Sequence, residues 1–424
     1  MISLKHQKNP KWKRLDNAAK IFPPTSSDRD TKVFRFAIEL YETVDPKILQ
    51  EAVDIAMESF PFYRVVLRRG AFWYYLEETS EQVLVEEENN TVCAPIFFEG
   101  ERTLLFRVIY YGKRISLEIH HTLSDGTGAL WLIKAIAYHY LTIKHKEDFV
   151  DKMPAKPYSP SLGHKTADSF NKYYTGEKNI VAKKQTKAFR IHGTRIEDNR
   201  NILIEGSLSV KEALNEAHKY NTTLTGFLAS LLIYSIYQEM SVSQRKKPII
   251  ITVPVNLRQF FKSESARNFF GTIRIEYNVS KQGDSFENII KHVNDSFKDK
   301  LTEKALEKQL NSFVALEQYK LLKIIPLPIK NLVLRLADIY NERGITAGIS
   351  NIGKVDFPKE LQPYIYQLNV CTGARRPQLS VVSYNDNLTL SFTSSFTETG
   401  IQENFFKFLT KEGINVNIAS NIEV

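Results

Sequence analysis

The first third of the chain shows apolar patterns of strand period and then of helix period. Residues Val33–Leu40 place large apolar side chains at every second position, which predicts a half-buried strand. Asp45 and Pro46 follow as a preferred N-cap and first helical residue, and apolar residues then recur at helical spacing as far as Met57. The predicted order is a strand and then an amphipathic helix.

Two further strand pairs are predicted, at residues 65–76 and 103–121, because each contains two apolar runs joined at a glycine. In the last strand, residues 115–121, the aliphatic side chains at alternate positions face the interior. The same alternation places His121 on this inward side and His120 on the opposite face. Position alone therefore distinguishes the two adjacent histidines.

The periodicity becomes helical after Gly126, where apolar residues are spaced for a helix of about four to five turns. The segment His120–Gly126 (HHTLSDG) therefore lies at a strand-to-helix turn. Turns of this kind can expose a side chain to a cleft.

The length of 424 residues predicts two to three domains, because it exceeds what one hydrophobic core usually supports. A polar stretch at about 144–201, rich in Lys, Ser, Asp and Pro, predicts a crossover between two lobes. The expected organisation is an N-terminal lobe at 1–165, a linker at 166–200 and a C-terminal lobe at 201–424.

The second half repeats the mixture of elements. Its patterns predict helices from Ser209 and Thr223, a strand at 248–255, helices at 284–301 and before Pro326, a hairpin around 385–387 and a short helix at 404–411. Both lobes are therefore predicted to be α/β, with mixed α+β sheets covered by helices.

The net charge favours an anionic partner. The chain carries 57 Lys and Arg against 48 Asp and Glu, a balance of +9. A nucleic acid, an anionic membrane surface, an acidic carrier protein or a phosphorylated cosubstrate would each suit this charge. The basic residues are scattered in short groups, as on a solvated face, so we expect no nucleic-acid binding.

The cysteine count and the lengths of the apolar runs indicate in which cellular compartment the protein is expected. Cys93 and Cys371 are the two cysteines, too few for a disulfide framework or a four-thiolate zinc site, so a reducing compartment fits. The first residues lack the apolar stretch of a secretory signal, and the longest apolar runs are shorter than a membrane span. We expect a cytoplasmic protein that is not an integral membrane protein.

The HHTLSDG segment carries the candidate chemistry. Histidine suits proton abstraction because its unperturbed pKa, about 6.5, lies near working pH, and burial keeps an imidazole neutral. His121 is therefore a candidate general base, and His120, Asp125 and Gly126 are candidate catalytic residues beside it. Equally, Asp125 caps the helix, Gly126 makes the turn and His121 is a structural core histidine; the residues alone leave both interpretations open. No metal site is expected, because adjacent strand residues project to opposite faces.

The HHTLSDG segment also resembles the HHxxxDG signature of the chloramphenicol acetyltransferase-like superfamily. That superfamily includes the condensation domains of nonribosomal peptide synthetases, plant BAHD acyltransferases, and wax-ester and alcohol acyltransferases. Further similarity lies at Trp12–Pro23 (WKRLDNAAKIFP), Pro61–Leu67 (PFYRVVL), Pro254–Arg258 (PVNLR), Asn268–Gly271 (NFFG) and Ser350–Gly353 (SNIG). Together these segments look most like the stand-alone, alcohol-acetyltransferase-like branch in bacteria.

The resemblance implies two similar chloramphenicol acetyltransferase-like lobes with an active-site channel between them, and it favours catalysis over a structural role for His121. The second histidine of the motif would take a proton from an acceptor hydroxyl or amine as that group attacks a thioester carbonyl, and would return it to the thiolate. Asp125 would pair with an arginine and so fix the loop. Arg258 is the first candidate for this arginine and Arg64 the second.

Other site residues are implied in the same way. Ser350 and Asn351, on the segment that matches the crossing strand of the second lobe, are the candidates for oxyanion stabilisation, although this pair is also typical of a turn. Wax-ester relatives usually continue this element with a proline that is absent here. Gly126 would be needed where a side chain is excluded.

The implied donor is acyl-CoA or an acyl-carrier-protein thioester, which is a cosubstrate, and no bound cofactor is expected. The acceptor would be a small molecule, and the two-lobe length favours a monomer. Acyl length, acceptor identity and pathway do not follow from the sequence. Two alternatives stay open: a non-catalytic two-lobed binding protein for a carrier protein or a lipid, and a basic nucleic-acid-binding protein.

Overall fold

The computed structural model describes residues 11–157, 168–177, 186–318 and 324–422, so the predicted linker at 166–200 lies partly outside the described residues. The strands are β1 Trp12–Arg14, β2 Val33–Leu40, β3 Val65–Arg69, β4 Tyr74–Glu78, β5 Val85–Glu87, β6 Phe106–Tyr111, β7 Arg114–His120, β8 Ile202–Ser209, β9 Ile249–Asn256, β10 Phe270–Tyr277, β11 Ala347–Lys354, β12 Ile365–Thr372, β13 Gln378–Tyr384, β14 Asn387–Ser394 and β15 Asn417–Ser420. The helices are α1 Phe22–Thr25, α2 Pro46–Ser59, α3 Gly126–Lys144, α4 Ser169–Lys172, α5 Val210–Lys219, α6 Leu224–Gln238, α7 Val279–Gln282, α8 Phe286–Lys300, α9 Glu303–Gln318, α10 Leu327–Glu342 and α11 Gly400–Lys411.

Side-chain caps fix the starts of the principal helices. Asp45 accepts hydrogen bonds from the backbone N–H groups of Lys47 and Ile48 at the start of α2. Ser209 and Thr223 cap α5 and α6 in the same way. The predicted helix starts at these three positions are confirmed, because a side-chain oxygen satisfies backbone donors that have no partner within the helix.

The strands form two large mixed sheets and a small third sheet. The orders are β12-β2-β7-β6-β5, β10-β9-β11-β13-β14-β8-β15 and β1-β4-β3. In the seven-stranded sheet β11 runs parallel to both of its neighbours, and in the five-stranded sheet β5 runs parallel to β6. The predicted class, α/β with mixed sheets, is confirmed.

Strand β12 joins the two halves of the chain. It belongs to the second half by sequence, yet it pairs antiparallel with β2 at the edge of the first sheet. Cys371 on this strand brings its Sγ to 4.0 Å from the Sγ of Cys93. The lobe boundaries stay a prediction, but the five-stranded sheet is not built from residues of 1–165 alone.

The seven-stranded sheet has a hydrophobic core on each face. Along β13, Val382 and Tyr384 belong to the core that contains α2 and α3, whereas Leu379 and Val381 belong to the core that contains α6 and α8. One face of this sheet therefore packs against the first half of the chain. Of the helices in the described ranges, none combines the length and the apolar composition needed to cross a membrane.

Strand β7 departs from the predicted pattern of one inward face, because both of its faces are buried. Glu118 is fully buried, and its carboxylate accepts hydrogen bonds from Arg35 Nε at 2.8 Å, Arg107 Nε at 2.7 Å and the backbone N–H of Cys93 at 2.7 Å. A buried carboxylate needs such partners to offset the loss of hydration. The alternate face of β7, which includes His120, is therefore an internal polar layer.

Candidate active site

The HHTLSDG segment joins β7 to α3. The strand ends at His120 and the helix begins at Gly126. Asp125 is the N-cap of the helix: its Oδ1 accepts hydrogen bonds from the backbone N–H groups of Thr127 at 3.1 Å and Gly128 at 3.2 Å. His121 thus stands in the turn, just past the strand to which the alternation assigned it.

His120 is fixed by hydrogen bonds at both ring nitrogens. The backbone N–H of Thr122 donates to Nδ1 at 3.2 Å, so Nδ1 is the acceptor and Nε2 carries the proton. Nε2 lies 2.9 Å from Ser26 Oγ, whose own hydroxyl donates to the carbonyl of Phe22. Burial lowers the pKa of His120 to about 3. This imidazole is neutral and holds the loop that precedes β2.

His121 is half-buried, and aromatic rings surround its imidazole. The rings of Phe22, Phe34 and Phe270 have centroids 5.1, 4.4 and 6.4 Å from that of His121. The Nδ1 atom is buried and has no hydrogen-bond partner among the described residues. Burial, with a contribution from the positive charge of Lys32, lowers the pKa of His121 to about 4. The imidazole is therefore neutral at physiological pH.

Both halves of the chain hold the backbone of His121. Its N–H donates to the carbonyl of Lys32 at 2.8 Å, and its carbonyl accepts from Asn268 Nδ2 at 2.9 Å. Asn268 also donates to Asp16 Oδ2 from its backbone N–H and its side chain, at 3.3 and 3.2 Å. Burial raises the pKa of Asp16 to about 7.

Asp125 and Arg258 join the motif to the second half of the chain. Arg258 Nη1 donates to Asp125 Oδ2 at 2.7 Å, and the backbone N–H of Phe269 donates to the same oxygen at 2.8 Å. Arg258 also donates to the carbonyls of Ser265 and Arg267, and so holds its own loop closed. Arg64, the second candidate partner, has a buried Nε without a hydrogen-bond partner among the described residues.

The second-half loop approaches the backbone of α3 so closely at Gly128 that a side chain is excluded there. The sequence had indicated Gly126 for this role. A Cβ atom on Gly128 would lie 2.1 Å from the carbonyl oxygen of Ala266 and 2.3 Å from Ser124 Oγ. A Cβ atom on Gly126 would lie 3.3 Å from the tip of the Ile352 side chain, a tight contact that this flexible group relieves by shifting a few tenths of an ångström. The missing side chain at Gly128 lets the second-half loop pack directly on α3.

Ser350 and Asn351 lie in the middle of β11, so this pair forms a strand and not a turn. Asn351 Nδ2 donates to Thr225 Oγ1 at 2.8 Å and its Oδ1 accepts from the backbone N–H of Gly353 at 2.8 Å, which engages both polar atoms within the second half. Because side chains alternate along a strand, Ser350 lies on the face of β11 opposite to Asn351, toward the core that contains α2 and α3, called the first core below. A bulge follows, and Ile352 packs against that core.

Two cavities adjoin elements that contact the motif. One, of about 590 Å³, is lined by residues that include Leu214, Leu224, Asn351 and Leu388 beside β11. The other, of about 310 Å³, adjoins Ser27 in the segment that contacts both histidines. Among the described residues, no group of three or more His, Cys, Asp or Glu is placed to hold a metal ion.

Several site residues received no role from the sequence, among them Asp16, Phe22 and Asn268. Each lies in a segment that carried the resemblance, Trp12–Pro23 or Asn268–Gly271. The resemblance therefore covered these residues, but it did not predict their contacts. The contacts join residues up to 252 positions apart, which local patterns do not encode.

Comparison with known proteins gives a family and a fold. A family model described as alcohol acetyltransferase matches residues 169–412. The curated proteins contain no significant sequence match to the chain. Three solved structures have a similar fold. Polyketide synthase associated protein 5 from Mycobacterium tuberculosis is 13% identical with a TM-score of 0.63, and the match covers 94% of this chain and 96% of that one. Trichothecene 15-O-acetyltransferase from Fusarium sporotrichioides is 9% identical (TM-score 0.64, coverage 95% and 94%), and the starter condensation domain of rhizomide synthetase is 11% identical (TM-score 0.62, coverage 95% and 93%). At these identities the similarity establishes the two-lobed fold along nearly the whole chain.

Proposed function

The chain belongs to the alcohol acetyltransferase family within the chloramphenicol acetyltransferase-like superfamily, and on this premise we propose that it moves an acyl group from a thioester donor to a hydroxyl or amine acceptor. His121 is the general base in this proposal. Acyl-CoA and an acyl-carrier-protein thioester are the two donor classes. The acceptor is a small molecule.

The observation that carries the proposal is the state of the His121 imidazole. It is neutral, its backbone is held from both halves of the chain, and the residue is only half-buried. His120, by contrast, uses both ring nitrogens in structural hydrogen bonds. A general base must be neutral and positioned, and His121 meets both conditions.

The reaction proceeds through one tetrahedral intermediate. The neutral imidazole of His121 takes the proton of the acceptor hydroxyl or amine as that oxygen or nitrogen bonds to the thioester carbonyl carbon. The intermediate then breaks its carbon–sulfur bond, and the imidazolium returns the proton to the departing thiolate. The products are an ester or amide and a free thiol, and no covalent acyl-enzyme forms.

Ser350 is the better of the two oxyanion candidates. Its face of β11 is directed toward the first core, as is that of Ile352, which approaches Gly126 in the motif. Asn351 would first have to give up its hydrogen bond to Thr225. A hydroxyl donor aimed at the developing charge lowers the barrier more than it stabilises the substrate.

The proposal is tested by release of free thiol from acyl-CoA donors of short to long chain, with alcohol and amine acceptors, and by mass spectrometry of the products. Thiol release that requires an acceptor and yields the matching ester or amide would support acyl transfer. The same assay with acylated carrier proteins covers the second donor class. Absence of product with both classes would contradict the proposal and favour a binding role.

A further inference from the structure

Arginines dominate the cavity of about 310 Å³ beside Ser27. One acidic side chain, Glu342, also lines it. The volume lies at the lower end of the range for small-molecule sites. The arginines come from four separate stretches of the chain: Arg29, Arg190, Arg195, Arg343, Arg375 and Arg376.

The two arginines at the inner wall already have anionic partners. Arg375 donates from Nη1 to Asp338 at 2.9 Å and from Nε to Asp30 at 3.2 Å. Arg376 pairs with Glu342. Their positive charges are therefore balanced within the protein.

The other four arginines are exposed and make no ion pair with a carboxylate of the described residues. Arg195 is held in place, because Nη1 donates to Ser395 Oγ at 2.9 Å and its guanidinium stacks on the ring of Phe396 at 5.0 Å. Its pKa is lowered by burial and by repulsion from Arg29, Arg190 and Arg375. A bound anion would relieve this repulsion.

The inner wall of the cavity contacts the segment that holds the two histidines. Arg375 Nη2 donates to the carbonyl of Thr25 at 3.2 Å. Ser26, the next residue, lies 2.9 Å from Nε2 of His120, and Phe22 stacks on His121. The cavity and His121 therefore adjoin the two ends of one short segment, residues 22–27.

We propose that this arginine-lined cavity binds a phosphoryl group of the thioester donor. The inference rests on the proposed function, since it assigns the charged end of the same substrate. Guanidinium groups match phosphate oxygens in charge and in paired hydrogen-bond geometry. The phosphoryl group belongs either to the nucleotide of CoA or to the phosphopantetheine arm, which CoA and acyl carrier proteins share.

The test measures binding by titration calorimetry with three probes: CoA, dephospho-CoA and 4′-phosphopantetheine. The test variant is Arg190→Gln with Arg195→Gln. The matched control is Lys291→Gln with Lys298→Gln, which removes the same charge from exposed positions on α8. We expect the arginine variant to bind CoA about tenfold or more weakly and the lysine control to bind it as the parent does.

The three probes distinguish the sources of the phosphate. A loss with CoA but not with 4′-phosphopantetheine assigns the cavity to the nucleotide, whereas an equal loss with both assigns it to the arm. Dephospho-CoA separates the 3′-phosphate from the pyrophosphate. Unchanged affinity of the arginine variant for every probe, or no binding by the parent, would overturn the inference.

Thiol release by the same samples separates this inference from the proposed function. Turnover by the parent with unchanged binding in the arginine variant overturns the phosphate site and leaves acyl transfer standing. Arginine-dependent binding without turnover supports the site and contradicts acyl transfer.

Discussion

Arg258 reaches across the chain to Asp125 and places Nη1 2.7 Å from Oδ2, with 8% and 7% of the two side chains exposed. Asp125 uses its other oxygen to cap α3, and Arg258 uses its other nitrogens to close its own loop. This one ion pair therefore fixes the start of α3 against the loop that contains Ser265. It thereby positions His121, which lies in the turn before α3. The pair is a positioning device and makes no contact with the imidazole in the described hydrogen bonds.

The first prediction concerns this pair. Arg258→Ala leaves the Asp125 carboxylate buried without its cationic partner, so we expect a loss of about 3–5 kcal/mol in the free energy of unfolding. Urea denaturation measures it. Lys407→Ala removes an exposed ion pair and should cost less than about 1 kcal/mol. A loss for Arg258→Ala as small as that of Lys407→Ala would contradict the structural role.

The second prediction compares two glycines of α3. Gly128→Ala forces a methyl group against the Ala266 carbonyl at 2.1 Å, so the helix and the loop must separate and the melting temperature should fall by several degrees. Gly126→Ala has its closest contact with the flexible tip of Ile352, at 3.3 Å, and should change the melting temperature much less. Thermal unfolding followed by circular dichroism checks both. Equal melting temperatures for the two variants would refute the close approach at Gly128.

Helix starts and strands with a clear period follow from the sequence. Val33–Leu40 and the caps at Asp45, Ser209 and Thr223 were predicted from local patterns. Helix α10 was not, because Pro326 was interpreted as the end of the preceding helix, whereas it is the N-cap residue of the next one. Large apolar residues on the exposed face of α10 also mask its amphipathic period.

The candidate site was predictable as far as the motif reaches. The HHTLSDG turn and the pairing candidate Arg258 came from sequence. The roles of Asn268, Asp16 and Gly128 depend on where the second-half loop lands on α3, and that is set by packing between distant segments. The burial of His120 also did not follow from the alternation, since both faces of β7 are buried, one of them as a polar layer.

The third prediction is a pH dependence of catalysis. Burial lowers the pKa of His121 to about 4, and only the neutral form accepts a proton. The value of kcat/KM should therefore stay level from about pH 8 down to about pH 5 and fall as His121 becomes protonated near pH 4. Steady-state rates with circular dichroism at each pH separate this loss from unfolding. An acid limb near 6.5 would mean that the imidazole is hydrated.

The fourth prediction concerns Asp16, whose pKa is raised to about 7 by burial. The folded state then binds the proton more tightly than the unfolded state, so this group lowers stability increasingly as pH rises from about 4 to about 7. Asp16→Asn removes that dependence. The melting temperature of the variant minus that of the parent should grow over this range and then level off.

A matched control for Asp16 is Asp299→Asn, at an exposed position on α8. Its melting temperature should follow that of the parent at every pH. A constant difference between Asp16→Asn and the parent across the range would show that folding does not raise the pKa of Asp16, and it would contradict the prediction.

The central claim is that His121 is the base. The direct measurement is acceptor-dependent thiol release by the parent, by His121→Ala and, as a matched control at an exposed histidine on α5, by His218→Ala, with melting temperatures of all three. We predict that His121→Ala stays folded and loses about 100-fold or more of the rate, because no other group takes the proton. Thiol release by folded His121→Ala at the rate of the parent would contradict the claim.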